Sequence, residues 1–119
     1  MSAPKHSLAE HLTDPCNRGP LSEAQVTGLS HGHGRGGQVR LYLRVDAGTI
    51  RAAQFDSFGC GFTAGCASIL TEMIVGRTVD ACRQLTVSHF VDTIEGLPRH
   101  KQHCAMLAVA ALHDALGDT

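Results

Sequence analysis

Aromatic residues are scarce, at 4% of 119, so a core has to be built from Leu, Val, Ile and Ala. Excess charge is lacking too. The formal net charge is -1, which argues against a general nucleic-acid binder, because that function needs a basic face to displace counterions. No run of like charges is long enough for an interaction tail. No apolar segment approaches the ~20 residues that span a bilayer, so no membrane partner is expected. The opening MSAPKHSLAEHL holds no apolar stretch of signal-peptide type, and a cytoplasmic location is the expectation. In that compartment five cysteines point to metal ligands, reactive thiols or core residues rather than disulfides.

What is present is enough for one compact domain over residues 1–119, with 43% apolar residues to fill it. Residues 7–13 suit a short helix, with Leu8 and Leu12 on one face, stopped at Asp14-Pro15. The clearest strand follows a glycine-rich loop: Val39, Leu41, Leu43 and Val45 alternate with Arg40, Tyr42 and Arg44. Asp46-Ala47-Gly48 supplies a turn, and a second strand runs over 49–57, its apolar phase shifting between Ala52 and Ala53 as at a bulge. A third strand is expected within 21–30, where Val26 and Leu29 are the apolar candidates. The second half reads as helices over 63–75, 78–85 and 88–95, and a last one carrying Cys104, Leu107, Ala108, Ala111, Leu112, Ala115 and Leu116 at i, i+3, i+4 spacing. Strands first and helices after imply an α+β fold, a small antiparallel sheet with helices packed on one face.

Chemistry concentrates at two cysteines. Phe58-Gly59-Cys60-Gly61 joins the second strand to a helix. Its glycines free the backbone to turn and uncover the sulfur, and the positive end of the helix favours thiolate there. The plain alternative is a turn with a buried cysteine. Lys101-Gln102-His103-Cys104 opens the last helix, setting an imidazole beside a thiol with a lysine nearby. Cys104 also fits that helix's apolar face, so the plain alternative is a core cysteine. Adjacent residues point ~100° apart on a regular helix, so His103 and Cys104 share one ion only if the first turn is frayed or the ion sits off its end. Cys66 and Cys82 read as core residues. Cys16 follows Asp14-Pro15, and His6, His11, His89, His100 and His113 have no spacing that implicates them.

The order of hairpin, F-G-C-G, helix, L-P-x-x-K-x-H-C and final helix resembles the IscU/NifU-type iron–sulfur cluster assembly scaffolds. The likeness runs from about Leu12 to the C-terminus. Asp14-Pro15 with Asn17 and Gly19, the strand end Arg44-Val45-Asp46, and Thr71-Glu72 add to it. It implies a SufE/NifU-like sandwich that presents cysteines at one end. It also implies sulfur received from a cysteine desulfurase, a [2Fe–2S] cluster assembled with iron and passed to cluster-accepting apoproteins, and zinc as another occupant. By the same likeness Cys60 and Cys104 match the second and third family cysteines, His103 the histidine before the third, and Lys101 the lysine of a segment recognised by an Hsp70-type chaperone.

The first family cysteine is missing. Counting back from Asp46 puts Arg35 at that position and Gly37 at the aspartate two residues on. The chaperone segment, Leu97-Pro98-Arg99-His100-Lys101, has lost its second proline. The altered loop holds His31 and His33. Two cysteines and two histidines complete a tetrahedral zinc site, and mixed Cys/His ligation of a [2Fe–2S] cluster is known chemistry. The alternative for these histidines is a solvated glycine–histidine loop. Three readings follow: a variant scaffold using Cys60, Cys104 and His103; a zinc-dependent sulfur acceptor resembling the SufU branch, which is an enzyme-like role; and a degenerate module that keeps only the fold and an interaction surface.

Overall fold

Alternation in β3 (Gln38–Asp46) sets the sheet. Val39, Leu41 and Leu43 are fully buried while Arg40 is exposed, as a strand with one wet face requires. The chain is seen here as a computed structural model that describes residues 6–32 and 36–117. β3 turns into β4 (Thr49–Phe58) through Ala47 and Gly48, both at positive φ (51° and 77°). A two-residue loop with both φ positive is the turn whose twist matches a hairpin. The register slips between Arg44 and Val45, which pair with Ala52 and Ile50, so the extra residue is Arg51. The bulge expected at Ala52/Ala53 therefore sits one residue earlier. It returns Ala53 and Phe55 to the buried face after Ile50.

The third strand, β2 (Val26–His31), pairs antiparallel with β3, giving the order β2-β3-β4. Its core face is Val26, Gly28 and Ser30, and Leu29 points the other way. The apolar reading misjudged that face because its central residue is a glycine. A Cβ at Gly28 would collide with the Ala111 carbonyl and come within 2.6 Å of the Ala115 nitrogen. Strand and last helix touch backbone to backbone there.

Helices cover one face. α1 (Leu8–Thr13) packs on α2 (Gly61–Ile74). α2 and α5 (Gln102–Leu116) lie side by side on the sheet. Between them run α3 (Val79–Arg83) and α4 (Val87–Asp92), each N-capped by a threonine hydroxyl, Thr78 and Thr86. The helix expected to reach residue 95 stops at Asp92. The Thr93 hydroxyl and amide both donate to the Phe90 carbonyl. Ile94–Glu95 (β5) then leaves to pair in parallel with β1 (His6–Ser7). A 3-10 turn, Arg99–Lys101, leads into α5. Among the described residues no helix is long and apolar enough to cross a membrane.

Candidate metal and thiol site

Cys60 sits where β4 becomes α2. Gly59 before it has φ +141°, and a Cβ there would meet the Gly37 Cα at 3.1 Å, so only glycine lets the two loops close over each other. Cys60 is the N-cap residue of α2 and is exposed. From the neighbouring helix comes Cys104, wholly buried in the first turn of α5. The two sulfurs lie 3.8 Å apart. Thr63, one turn into α2, puts its hydroxyl 3.7 Å from the Cys60 sulfur and 3.5 Å from that of Cys104. Lys101 Nζ lies 3.7 Å from Cys60 Sγ and over the Phe62 ring. His103 Nε2 is 3.7 Å from Cys104 Sγ. Helix side chains lean toward the N-terminus, so the two neighbours meet off the end of α5 and no fraying is needed.

The two sulfurs stand at the separation one ion needs, and the His103 ring meets Cys104 at such a separation while staying more than 4.8 Å from the Cys60 sulfur. With Zn–S about 2.3 Å and Zn–N about 2.05 Å, a tetrahedron has an S···S edge of about 3.8 Å and an S···N edge of about 3.6 Å. The site has 3.8 and 3.7 Å.

The two thiols differ in acidity. Partial burial pushes Cys60 up. The Thr63 hydroxyl, the amides of Thr63 and Phe62 and the Cys104 thiol more than reverse this, holding Cys60 down at about 7. Neither amide closes a capping hydrogen bond on the sulfur, so their effect is that of dipoles at a helix N-terminus. Burial pushes Cys104 up against the pull of the Thr63 hydroxyl, and a charged Cys60 adds to the rise. In the metal-free pair the exposed Cys60 is thus the sulfur that ionises first, near neutral pH, beside a buried Cys104 thiol.

Other expected donors lie elsewhere. His31 ends β2, exposed and opposite Gln38, and His33 falls outside the described residues. Among the described residues the polar contacts on the two sulfurs come from Thr63, Lys101 and His103. Gly37, at the far end of the histidine loop, does reach the site: a Cβ on it would meet Leu107 at 3.1 Å and the Thr63 hydroxyl at 3.9 Å. Cys66 is fully buried and burial pushes its thiol up to about 12, while Cys82 is buried with its thiol raised; both are core residues. Cys16 lies against Ser68 and Glu72 of α2 instead. The sequence reading passed over Thr63, for which the signal is a hydroxyl three residues after a cysteine that opens a helix.

The family profile of the NifU-like N terminal domain matches residues 4–118. The chain belongs to that family. Relatives within it include the iron–sulfur cluster assembly scaffold protein IscU 1 of Archaeoglobus fulgidus, 30% identical over 92% of this chain and 71% of the relative. The iron–sulfur cluster assembly enzyme IscU of Drosophila melanogaster is 34% identical over 94% of this chain and 75% of its own length. The nitrogen fixation protein NifU of Azospirillum brasilense is 37% identical, but the match spans 37% of that longer protein. Among solved structures, FiSufU from Fervidobacterium islandicum AW-1 superposes with a TM-score of 0.73 at 16% identity, over 92% of this chain and 93% of that one. The NifU-like N-terminal protein of Brucella abortus gives 0.72 at 17%, over 92% and 88%. The α+β sandwich expected for a NifU-like chain is the fold observed.

Proposed function

We propose that this NifU-like chain is an iron–sulfur cluster assembly scaffold of variant ligation, in which Cys60, Cys104 and His103 hold the cargo. The cargo is iron or a [2Fe–2S] cluster, with zinc as another occupant. The observation that carries this reading is the approach of the two sulfurs to 3.8 Å, the edge length of a tetrahedral ion, with an imidazole nitrogen 3.7 Å from the second of them; the His103 ring has to turn toward Cys60 to complete the set. The loop that ends at Gly37 beside Gly59 borders the site, and a histidine from it is the further donor this reading calls for. Lys101 offsets the negative charge of the thiolates. By this reading the partners are a cysteine desulfurase as sulfur donor and cluster-accepting apoproteins. Pro98 and the turn after it remain as a reduced version of the chaperone segment. Anaerobic reconstitution with iron and sulfide, with metal analysis and absorption spectra on one sample, tests it. A visible sulfur-to-iron charge-transfer spectrum that Cys60→Ala or Cys104→Ala removes is the expected result, and a colourless, metal-free protein overturns it.

One observation favours a second reading, a zinc-dependent sulfur acceptor of SufU type. Cys60 is exposed, ionised near neutrality and faced by a cation. Its thiolate would attack the terminal sulfur of a desulfurase persulfide. A new S–S bond forms on Cys60, the donor's S–S bond breaks, and the donor's thiolate leaves. A colourless protein with one zinc per chain that gains 32 Da on Cys60 (about one sulfur atom) from a persulfide donor would select this reading.

A further inference from the structure

A second group of soft and hard donors lies well away from the first. His11, at the end of α1, Cys16, in the segment after it, and Glu72, on α2, each offer a ligand atom, and these lie within 4.8 Å of one another. Three parts of the fold build it. α1 packs along α2. Asn17 and Gly19 hydrogen-bond to Phe55 at the outer edge of β4, which draws Cys16 onto α2. Ser68 and Glu72 stand four apart, on one face of that helix. Cys60 begins α2, and Ser68 and Glu72 lie about 12 and 18 Å further along its axis at 1.5 Å per residue. No ion in contact with Cys60 would touch both groups.

We propose that His11, Cys16 and Glu72 form a second binding site, for a divalent first-row transition ion such as Zn2+. The proposal does not depend on the reading of Cys60 and Cys104. Cys16 Sγ is 3.5 Å from Glu72 Oε2, and His11 Nε2 is 3.9 Å from the same oxygen. A tetrahedral zinc needs edges of about 3.6 Å for S···O and S···N and about 3.4 Å for N···O, so closing the site asks for a movement of about half an ångström by the exposed carboxylate and for the His11–Cys16 edge, within 4.8 Å, to settle at about 3.6 Å. One thiolate and one carboxylate neutralise a dication beside His11, which is 8% exposed. A shallow cavity of about 280 Å³, lined by these three residues with Glu10 and Asp14, adjoins them and leaves room for a water or a further carboxylate as fourth ligand.

Ser68 orders the donors. It is fully buried. Its oxygen accepts from the Cys16 amide at 2.8 Å and lies 2.7 Å from His11 Nδ1, and its hydroxyl donates to Cys16 Sγ at 3.2 Å. A hydroxyl has two lone pairs and one proton. With Cys16 as thiolate the count closes when Nδ1 carries the imidazole proton and donates it to Ser68. Nε2 then turns its lone pair toward Glu72 and Cys16. A buried hydroxyl that fixes the tautomer of one ligand and hydrogen-bonds another is the support that metal ligands require. The mixed N, S, O set selects zinc, cobalt or ferrous iron over calcium and magnesium.

The test uses the full chain carrying Cys60→Ser and Cys104→Ser, titrated with Co2+ and then with Zn2+ in a competing chelator. We expect one Co2+ per chain with tetrahedral absorption and a thiolate charge-transfer band. Adding Cys16→Ser should remove that band and weaken binding at least tenfold, and adding Glu72→Gln should weaken binding while keeping the band. No cobalt bound by the parent double variant, or binding that Cys16→Ser leaves unchanged, overturns the proposal. Should the double variant fail to fold, the unsubstituted protein is alkylated with and without two equivalents of Zn2+. Protection of Cys16, read by mass spectrometry, supports the site, and full labelling of Cys16 at saturating zinc overturns it.

Discussion

Replacing Thr63 by valine isolates what makes Cys60 acidic. Thr63 is 2% exposed and its hydroxyl faces both sulfurs. The hydroxyl is placed to donate to Cys104 Sγ, and turning its proton to Cys60 Sγ serves that sulfur when it ionises. Valine keeps the volume and removes the donor. A hydrogen bond to a charged group is worth about 1.5–3 kcal/mol. The 3.7 Å contact to an exposed sulfur belongs below that range, at about 1 kcal/mol, or about 0.7 of a pKa unit. The Cys60 midpoint should therefore rise from about 7 to about 7.7. At pH 7 the thiolate fraction falls from about one half to about one sixth, and alkylation of Cys60 slows about threefold. At pH 9.5 the variant and parent should react at nearly the same rate. The assay is the rate of iodoacetamide labelling of the Cys60 peptide against pH, followed by mass spectrometry in metal-free protein, which separates the five cysteines. Thr63→Ser should restore the parent profile. An unmoved midpoint in Thr63→Val, or a serine variant that behaves like valine, would refute the argument and leave the helix dipole as the cause.

Cys60→Ala and Cys104→Ala should each remove the ion held between those two sulfurs, read as the loss of one metal equivalent per chain, while Cys82→Ala leaves the metal content intact, and affinity at that site should weaken as pH falls and protons compete for thiolate and imidazole; equal metal content in all three counts against the site. The pair His31→Ala/His33→Ala should weaken binding at least tenfold in a chelator competition with the fold unchanged, and unaltered affinity would reduce that loop to solvated chain. Cys66 ionises more readily unfolded than folded, so stability is full well below pH 9 and falls by about 1.4 kcal/mol per pH unit above it, toward the folded value of about 12. By pH 10 that loss is about 1.4 kcal/mol, and Cys66→Ala should remove it from urea unfolding curves; an unchanged pH slope would exclude Cys66 as the cause. Gly28→Ala should cost about 3 kcal/mol, the upper end for an added core carbon, since that carbon meets α5 backbone that cannot rotate away, and a thermal midpoint equal to the parent's would refute that contact.

Local chemistry explains which features the sequence disclosed. In β3 the alternation from Val39 to Val45 is a backbone property, and it survives folding intact. Cys60 announced itself because a cysteine between two glycines at a strand-to-helix junction has few structural uses, and the Gly59 conformation confirms the need. Cys104 was ambiguous for a physical reason: it is at once fully buried in the core and 3.8 Å from the exposed sulfur, so both readings of its position describe one residue. What stayed hidden was whatever packing alone assembles. The β2 strand itself was expected within 21–30, but its core face is centred on Gly28, which carries no hydropathy signal. His11 and Cys16 are five residues apart, a spacing that signals nothing, and Glu72 lies more than fifty residues further on. Only the seating of α1 on α2 brings imidazole, thiol and carboxylate together. The buried Ser68 four residues before Glu72 was the one local sign. A fully buried hydroxyl on a helix bonds either back to its own helix or to another element, and that of Ser68 takes the second course, with two of the three proposed ligands as its partners.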